Sequence, residues 1–373
     1  MFIYICVQTI YFFNQNTKER ERMNHVNAPS KNTLSFSKIG IGCWAFGGGE
    51  YWGSQDQQDV EEVVQTAIDS GLNLFDTARM YNDGKSEQSL GKALKGIREK
   101  AVICSKVSPA KAYYHTLIQE CESSLKNLGT DYIDLYMIHW PLCPVSLQHF
   151  TDDPAILKNP PTSEEAFSAL RQLKKEGKIL HIGVSNYGPT QLKEALAICP
   201  EIEVNELTYN VLSRAIEAEI VPLCEKENAK IISSMTFQQG ILTGIYRTAE
   251  EVPPYQAHSR HFAQERGAGT SRHGGPGVEK EMFHVVEKLR TLAETLHISM
   301  AQLSAAWVLH KSFISSALVG CRNKEQLLDN MAALNISLPD DIVREIDEVS
   351  LPVWEKLGNS PDYYESLSES RMF

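Results

Sequence analysis

The chain has 373 residues, of which 42% are hydrophobic and 22% charged, and this allows one barrel-sized domain or two average ones. Its net charge of -11 comes without a long block of like charge, which disfavours a nucleic-acid or anionic-membrane partner. Eight cysteines are scattered singly, without the paired spacing of a metal site. We therefore predict reduced thiols in a cytoplasmic protein and no metal.

The first thirty residues are predicted to be an unpacked extension. Residues 1–13 are apolar and aromatic, but they lack the basic start and the small-residue cleavage site of a signal peptide. They are also too short to span a bilayer, so we disfavour a membrane anchor. Residues 18–22 are densely charged, and Met23 is a candidate for the start of the native protein.

Short apolar runs then alternate with longer helical patterns as far as residue 350. The runs lack a clean alternation of apolar and polar residues, which suits strands buried on both faces of a parallel sheet. The predicted strands are residues 38–42, 72–75, 101–105, 133–138, 179–184, 203–205, 230–233 and 316–319.

Helical patterns follow these strands. They cover residues 56–70, 86–97, 112–128, 163–175, 189–197, 216–228, 300–310 and 324–334, with an extra helix at 279–296. A strand followed by a helix, repeated eight times, predicts an α/β fold, the (β/α)8 TIM barrel, over residues 31–350. An open doubly wound sheet is the alternative, but it calls for a Gly-x-Gly-x-x-Gly turn after the first strand. The glycines at 47–49 have no helix start behind them.

Two long loops leave the predicted carboxyl ends of strands, where barrel active sites lie. Residues 141–161 follow the fourth strand and are rich in proline, so we do not expect them to be helical throughout. Residues 238–277 follow the seventh strand and are rich in Gly, His, Arg and Pro. Loops of this length are usually functional or mobile. Residues 351–373 form a predicted tail that folds over the same face.

Four polar residues lie at or just beyond the tips of the second, third and fourth strands: Asp76, Tyr81, Lys106 and His139. Neighbouring strand tips bring such side chains together. A tyrosine is a poor acid at neutral pH, and a nearby ammonium group would lower its pKa. Asp76 would hold Lys106, while His139 would donate a hydrogen bond to a carbonyl oxygen. This set predicts general acid–base chemistry on an oxygen.

Each of the four residues also has an ordinary structural explanation. Asp76 could cap a turn, Tyr81 and His139 could be core residues, and Lys106 could end an exposed strand. Taken singly, these explanations are favoured, but four coincidences at three strand tips are improbable, so we favour the catalytic interpretation.

The chain resembles the aldo-keto reductase superfamily from about residue 34 to about residue 351. The matching motifs are Gly42-Cys-Trp44, Phe75-Asp-Thr-Ala-Arg-Met-Tyr81, Ser86-Glu, Asp131-Tyr-Ile-Asp-Leu-Tyr-Met-Ile-His139, Gly177-Lys-Ile-Leu-His-Ile-Gly-Val-Ser-Asn186, and Gly320-Cys-Arg-Asn with Gln326 and Asn330. The resemblance implies NADP(H)-dependent carbonyl reduction or alcohol oxidation, with Tyr81 as general acid and base.

The resemblance also implies an extended cofactor across the barrel mouth. Its site residues would be Cys43, Trp44, Asp76, Ser185, Asn186, Glu206, Ser234, Met235, Thr236, Phe237, Gly320, Arg322, Gln326, Asp329 and Asn330. Arg322 lies beside a predicted helix N-terminus, and both attract phosphate, which favours NADPH over NADH. Trp44, Tyr81 and His139 would contact the substrate.

Two positions depart from the family pattern. The family usually has Gln where this chain has Glu206, next to the nicotinamide amide, although a carboxylate still accepts from an amide NH2 group. The family usually has an aromatic residue where this chain has Ser234, so the ring that would stack on the nicotinamide is absent there.

The sequence therefore predicts an NADPH-dependent oxidoreductase of small or sugar-like carbonyl compounds. One alternative is an NADP(H)-binding regulatory or scaffold subunit with little turnover, and Ser234 favours it weakly. Another alternative is redox-neutral isomerisation of a sugar. The sequence specifies neither the substrate nor the oligomeric state.

Overall fold

The computed structural model describes residues 33–373, and the predictions about residues 1–30, Met23 included, lie outside this range. Within it, eight parallel strands close into a barrel in sequence order, with β1 paired to β8. The strands are β1 Ile39–Gly42, β2 Leu74–Asp76, β3 Val102–Val107, β4 Ile133–Ile138, β5 Ile179–Ser185, β6 Ile202–Thr208, β7 Lys230–Ser234 and β8 Ile314–Gly320. The predicted (β/α)8 TIM barrel is confirmed.

The helices pack around this barrel. They are α1 Gln57–Asp69, α2 Lys85–Ala93, α3 Tyr114–Leu128, α4 Pro144–Leu147, α5 Pro154–Lys158, α6 Ser163–Lys175, α7 Pro189–Ile198, α8 Ile216–Glu227, α9 Glu279–Leu296, α10 Met300–His310, α11 Lys324–Ala332 and α12 Asp340–Leu357. No helix within residues 33–373 combines the length and the apolar character needed to cross a membrane.

Local sequence explains where several helices begin and end. Asp56 precedes α1 and accepts a hydrogen bond from the backbone N–H of Gln58, and Thr162 and Glu165 form a capping box at the start of α6. Gly129 ends α3 with a φ of 63°, a left-handed conformation that glycine adopts without strain.

Apolar side chains fill both the barrel and the layer between barrel and helices. The interior group is Leu34, Leu74, Val102, Cys104, Leu135, Met137, Val204, Ile232 and Leu318. These residues come from six of the strands and from the segment before β1. A barrel packed in this way has no pore, so chemistry is confined to its ends.

The two long loops contain only short helical pieces. Residues 141–161 carry α4 and α5, and residues 238–277 carry short 3₁₀ turns such as Gln238–Thr243. The tail differs from the prediction because residues 351–357 belong to α12, which buries Val343, Ile346 and Val353. Beyond α12 the tail packs on the long loop after β7: the ring of Tyr364 stacks on His258, with ring centres 5.1 Å apart.

Candidate active site

Three strand tips and one turn bring the predicted proton-transfer residues together. Asp76 ends β2, Lys106 lies in β3, and His139 follows β4 directly. The segment after β2 runs along β3, where the backbone N–H of Arg79 donates to the carbonyl of Lys106. This contact directs the chain toward Tyr81, which begins a 3₁₀ turn.

The turn that carries Tyr81 is held from two sides. Asn82 has a φ of 48°, and its side-chain amide donates to the carbonyl of Gly47 in the loop after β1 at 2.6 Å. Gly84 has a φ of 81°, and a Cβ there would lie 2.6 Å from the side-chain nitrogen of Asn127. A side chain at position 84 would therefore be strained and crowded, and would displace the turn.

Lys106 is the centre of the set and is fully buried. Its Nζ lies 2.5 Å from Asp76 Oδ1, 3.1 Å from the carbonyl oxygen of Thr77 and 3.4 Å from Tyr81 Oη. Burial opposes the charged form of Lys106, but Asp76, Glu206 and Tyr81 together raise its pKa well above the ordinary value. The amine is therefore an ammonium group at neutral pH.

Tyr81 keeps its proton firmly. Burial raises the pKa of the Tyr81 phenol, and the opposing effect of Lys106 is smaller. The net direction is therefore opposite to the one predicted from Lys106 alone, because the prediction did not include desolvation or the carboxylates around the ammonium group. A phenol of this kind is a proton donor whose conjugate base depends on Lys106 for stabilisation.

His139 is neutral beside this pair. Its ring meets the Tyr81 ring edge-on, with centres 5.6 Å apart. Burial and the charge of Lys106 both lower the pKa of His139 well below the usual value. Its Nδ1 finds no hydrogen-bond partner within residues 33–373. A neutral imidazole can donate one hydrogen bond to an oxygen without adding charge.

Glu206 joins this set from the opposite side of the barrel. It lies in β6, is 4% exposed, and places Oε2 at 3.4 Å from Lys106 Nζ. That oxygen makes no hydrogen bond to any residue of the described chain. The sequence placed Glu206 only beside the cofactor, whereas the structure makes it a second carboxyl group on Lys106.

A cleft of about 510 Å³ opens beside Tyr81 and extends to the segment after β8. The predicted residues that line it are Trp44, Asp76, Tyr81, Glu206, Ser234, Met235, Thr236, Phe237, Gly320, Arg322, Gln326, Asp329 and Asn330. Thus Asp76 and Tyr81 share one cavity with most of the predicted cofactor residues, whereas Lys106 and His139 lie outside its lining.

The remaining predicted cofactor residues lie outside that lining. Cys43 is fully buried, and its thiol donates to the carbonyl of Ile41. Asn186 has a φ of 62°, and its side-chain amide donates to the carbonyl of His139 and to Ser185 Oγ. In this structure Ser185 and Asn186 therefore brace the segment that carries His139.

The far end of the cleft is built around Arg322. Its guanidinium group donates to the side chain of Gln55 and to the backbone carbonyls of Trp52 and Ser54. Its backbone N–H donates to Gln326 at 2.9 Å. Arg322 thus ties the loop after β1 to the start of α11 and closes this end of the cleft.

Two other predicted residues at this end already have protein partners. Asp329 accepts from Ser299 Oγ and from the side chain of Gln302, at the start of α10. Asn330 donates to the carbonyl of Gly320 at 3.2 Å. Both contacts fix α11 against its neighbours.

An aromatic cluster packs beside Tyr81. The ring of Trp44 stacks on Tyr81, with centres 5.7 Å apart, and on Tyr51 at 5.0 Å, while Trp52 meets it edge-on. Trp44 is one of the predicted site residues, whereas Tyr51 and Trp52 are not. The sequence feature that could have indicated them is an aromatic pair after three glycines, in a loop that leaves the carboxyl end of a strand.

Comparison with known proteins agrees with this geometry. A model of the "Aldo/keto reductase family" matches residues 38–351. An NADH-specific methylglyoxal reductase of Escherichia coli is 31% identical over 84% of this chain and 96% of its own length. An aldo-keto reductase of Bacillus subtilis is also 31% identical, over 79% of this chain and 84% of its own. The chain therefore belongs to the aldo/keto reductase family.

Solved structures give the same assignment. An aldo-keto reductase from Klebsiella pneumoniae in complex with NADPH has a TM-score of 0.63 at 26% identity, over 86% of this chain and 96% of that one. The glycerol dehydrogenase of Gluconobacter oxydans has a TM-score of 0.67 at 26% identity, over 86% and 95%. The protein is thus an oxidoreductase of the aldo/keto reductase family, which implies a small carbonyl compound as substrate.

Proposed function

We infer that this protein reduces small aldehydes or ketones to alcohols with NADPH as the hydride donor, and that Tyr81 supplies the proton. The observation that carries the proposal is the 3.4 Å contact between Tyr81 Oη and the buried ammonium group of Lys106, because Tyr81 lines the cleft and Lys106 lies behind it. A proton donor with a cation behind it suits an oxygen that is gaining negative charge.

The cleft fits a nicotinamide dinucleotide by its donor set. Near Tyr81 it offers the carboxyl group of Glu206, an acceptor for a carboxamide NH2 group. At the far end it offers the guanidinium group of Arg322 beside the first turn of α11, a site for phosphate. Ser234, Met235 and Thr236 line the wall between these ends. A reduced nicotinamide, when bound, supplies the hydride.

The residues of this chain supply the remaining chemistry. His139, held neutral, donates a hydrogen bond to the substrate oxygen and orients the carbonyl group. Tyr81 transfers its phenolic proton to that oxygen, and Lys106 stabilises the phenolate that remains. Asp76 keeps Lys106 in position through their 2.5 Å contact. Trp44, Tyr51 and Trp52 exclude water from the substrate side.

The preference for NADPH rests on Arg322, since a guanidinium group binds phosphate through two parallel hydrogen bonds. The Escherichia coli relative is named NADH-specific, so the preference must be measured on this protein. Steady-state kinetics with each cofactor should give the higher kcat/KM with NADPH. A higher value with NADH would refute this half of the proposal.

The role of Tyr81 is tested by Tyr81→Phe in an assay of NADPH absorbance, with an aldehyde panel that includes methylglyoxal. Loss of a general acid costs about 10²- to 10⁴-fold in rate, and kcat should fall by that amount while NADPH affinity is retained. Tyr113→Phe, a tyrosine whose hydroxyl bonds Asn159 outside the cleft, is the matched control and should leave kcat unchanged. Turnover that survives in Tyr81→Phe would refute the assignment.

The same experiment separates the alternative functions. Tight NADPH binding without turnover on any carbonyl compound would identify a regulatory subunit, which Ser234 at the predicted stacking position favours. Conversion of a sugar to its isomer with no net consumption of cofactor would identify isomerisation.

A further inference from the structure

Glu206 has no role in the proton transfer described above, yet it is built into the centre of that machinery. Its carboxyl group reaches across the barrel from β6 to Lys106 in β3, two strands that are not neighbours. Glu206 also lines the cleft, as Asp76 and Tyr81 do. One buried ammonium group is therefore shared by two carboxyl groups and one phenol.

The charges of this set determine its protonation. Burial and the nearby Asp76 oppose a second negative charge and raise the pKa of Glu206 to about 8, an effect that Lys106 only partly offsets. Burial raises the pKa of Asp76 as well. Asp76 has the shorter contact with Lys106, so Glu206 is the carboxyl group that holds the shared proton at neutral pH.

We propose that Glu206 is the proton reserve of Tyr81, and that its carboxyl proton reaches the phenolate through the ammonium group of Lys106. Lys106 Nζ lies 3.4 Å from Glu206 Oε2 and 3.4 Å from Tyr81 Oη, so it can exchange a proton with either group through a small movement of one flexible side chain. Glu206 is thus a positioning residue that acts on the reaction through Lys106. Its kinetic consequence rests on the proposed carbonyl reduction.

The transfer balances without any further reactant. After Tyr81 has given its proton to the substrate oxygen, Lys106 gives one proton to the phenolate oxygen. The neutral amine then takes the proton of Glu206. The sum is one phenolate and one carboxylic acid converted to one phenol and one carboxylate, with no change in electron count. Glu206 is then protonated again by one proton from solution, which enters through the cleft that Glu206 lines.

The titratable groups that face Glu206 come from a few elements. They are Asp76 on β2, Tyr81 after β2, and Lys106 and Cys104 on β3. His139 after β4 senses the same ammonium group. The tips of β5 and β7 contribute Ser185, Asn186 and Ser234, which do not titrate. Burial raises the pKa of the Cys104 thiol well above its usual value, so it stays neutral.

Two measurements on the protein without any cofactor test the proposal directly. The first is the infrared band of a protonated carboxyl group, recorded against Glu206→Gln. The band should be present at pH 6.5 and should disappear with a midpoint near pH 8. Absence of the band at pH 6.5 would overturn the proposal. Glu87→Gln, which removes a buried carboxyl group bonded to Ser105 and Asn127, is the matched control and should retain the band.

The second measurement follows ionisation of Tyr81 by ultraviolet absorbance, as a difference between each protein and its Tyr81→Phe counterpart. Ionised Glu206 disfavours the phenolate, so in Glu206→Gln the phenol should ionise at a lower pH than in the unmutated protein. An unchanged ionisation pH would show that Glu206 and Tyr81 do not communicate, and would overturn the proposal.

Turnover adds a kinetic consequence. In the unmutated protein, kcat for carbonyl reduction should fall by about tenfold per pH unit above pH 8, as the reserve loses its proton, and alcohol oxidation should accelerate there. In Glu206→Gln, the rates of reduction and oxidation should no longer change above pH 8, whereas Glu87→Gln should retain both changes. A change of rate above pH 8 that persists in Glu206→Gln would overturn the relay. If the protein turns over no carbonyl compound while both cofactor-free results hold, the proposed function fails and the assignment of Glu206 is supported.

Discussion

The two walls of the cleft are built differently. The proton wall, at the tips of β2 to β4, presents Asp76 and Tyr81 to the cleft, and the buried Lys106 and His139 support them from behind. The cofactor wall, at the tips of β6 to β8, is represented by Glu206, Ser234 and Arg322. There, Glu206 Oε2 makes no hydrogen bond within the described residues, and the predicted aromatic ring is replaced by Ser234. The side chains of the proton wall thus fix one another, whereas on the cofactor wall Glu206 and Arg322 are held by other parts of the chain and Ser234 supplies no ring.

The largest effect is expected when Lys106, the cation that contacts both walls, is replaced. In Lys106→Met, Asp76 and Glu206 become buried carboxyl groups without a counter-charge, and breaking a buried ion pair in this way costs about 3–5 kcal/mol. The free energy of unfolding, measured with urea at pH 8, should fall by that amount, and turnover should be lost with it.

The control adds Asp76→Asn and Glu206→Gln to Lys106→Met. This triple variant has no buried charge left in the set, so most of the lost stability should return while turnover stays absent. If it were as unstable as Lys106→Met, the defect would come from lost packing, and the two carboxyl groups would not share one cation.

The difference between the walls also decides what the sequence could predict. Asp76, Lys106 and His139 lie at the carboxyl ends of adjacent strands, so strand order alone brings them together, and Tyr81 follows Asp76 after one short turn. The contact of Glu206 with Lys106 crosses the barrel between β6 and β3. It depends on side-chain length and on the packing of the interior, neither of which appears in strand order.

Side-chain packing also limited how much of the fold could be predicted from the sequence. All the predicted strands were found, because buried runs between helices give a strong signal, and their ends differ from the prediction by at most three residues. Helix α12 was missed, although Val343, Ile346, Ser350 and Val353 are spaced for one buried face. Pro352 interrupts that pattern, and packing against α9 stabilises the helix across it.

A smaller effect is expected at the phosphate end of the cofactor wall. Arg322→Ala removes a charged donor, and hydrogen bonds to charged groups contribute about 1.5–3 kcal/mol, so NADPH affinity should fall about 10- to 100-fold. The loop contacts of Arg322 with Trp52, Ser54 and Gln55 are lost as well. This loss should lower the affinities for NADPH and NADH by the same factor. The ratio of NADPH to NADH affinity, measured by fluorescence quenching, therefore isolates the phosphate contact.

Lys324→Ala is the matched control for Arg322, because it removes an exposed cation from the start of α11. It should change that ratio by less than about twofold, as surface charges contribute little. An unchanged ratio in Arg322→Ala would mean that this guanidinium group fastens the loop after β1 and does not discriminate between cofactors.

The smallest expected effect is a gain of affinity at Ser234. Ser234→Tyr places a ring on the cleft wall beside Met235 and Thr236, where the family usually has one. An aromatic pair contributes about 0.5–1.5 kcal/mol beyond area burial, so NADPH should bind about 2- to 10-fold more tightly. Thr243→Tyr, which adds a ring elsewhere in the same cleft, should not reproduce the gain. Equal gains in both variants would show that any added apolar area is sufficient. A gain at Ser234 alone would show that an aromatic ring at position 234 contacts the nicotinamide. In the unmutated protein, polar contacts such as the one with Glu206 would then hold the nicotinamide without this ring.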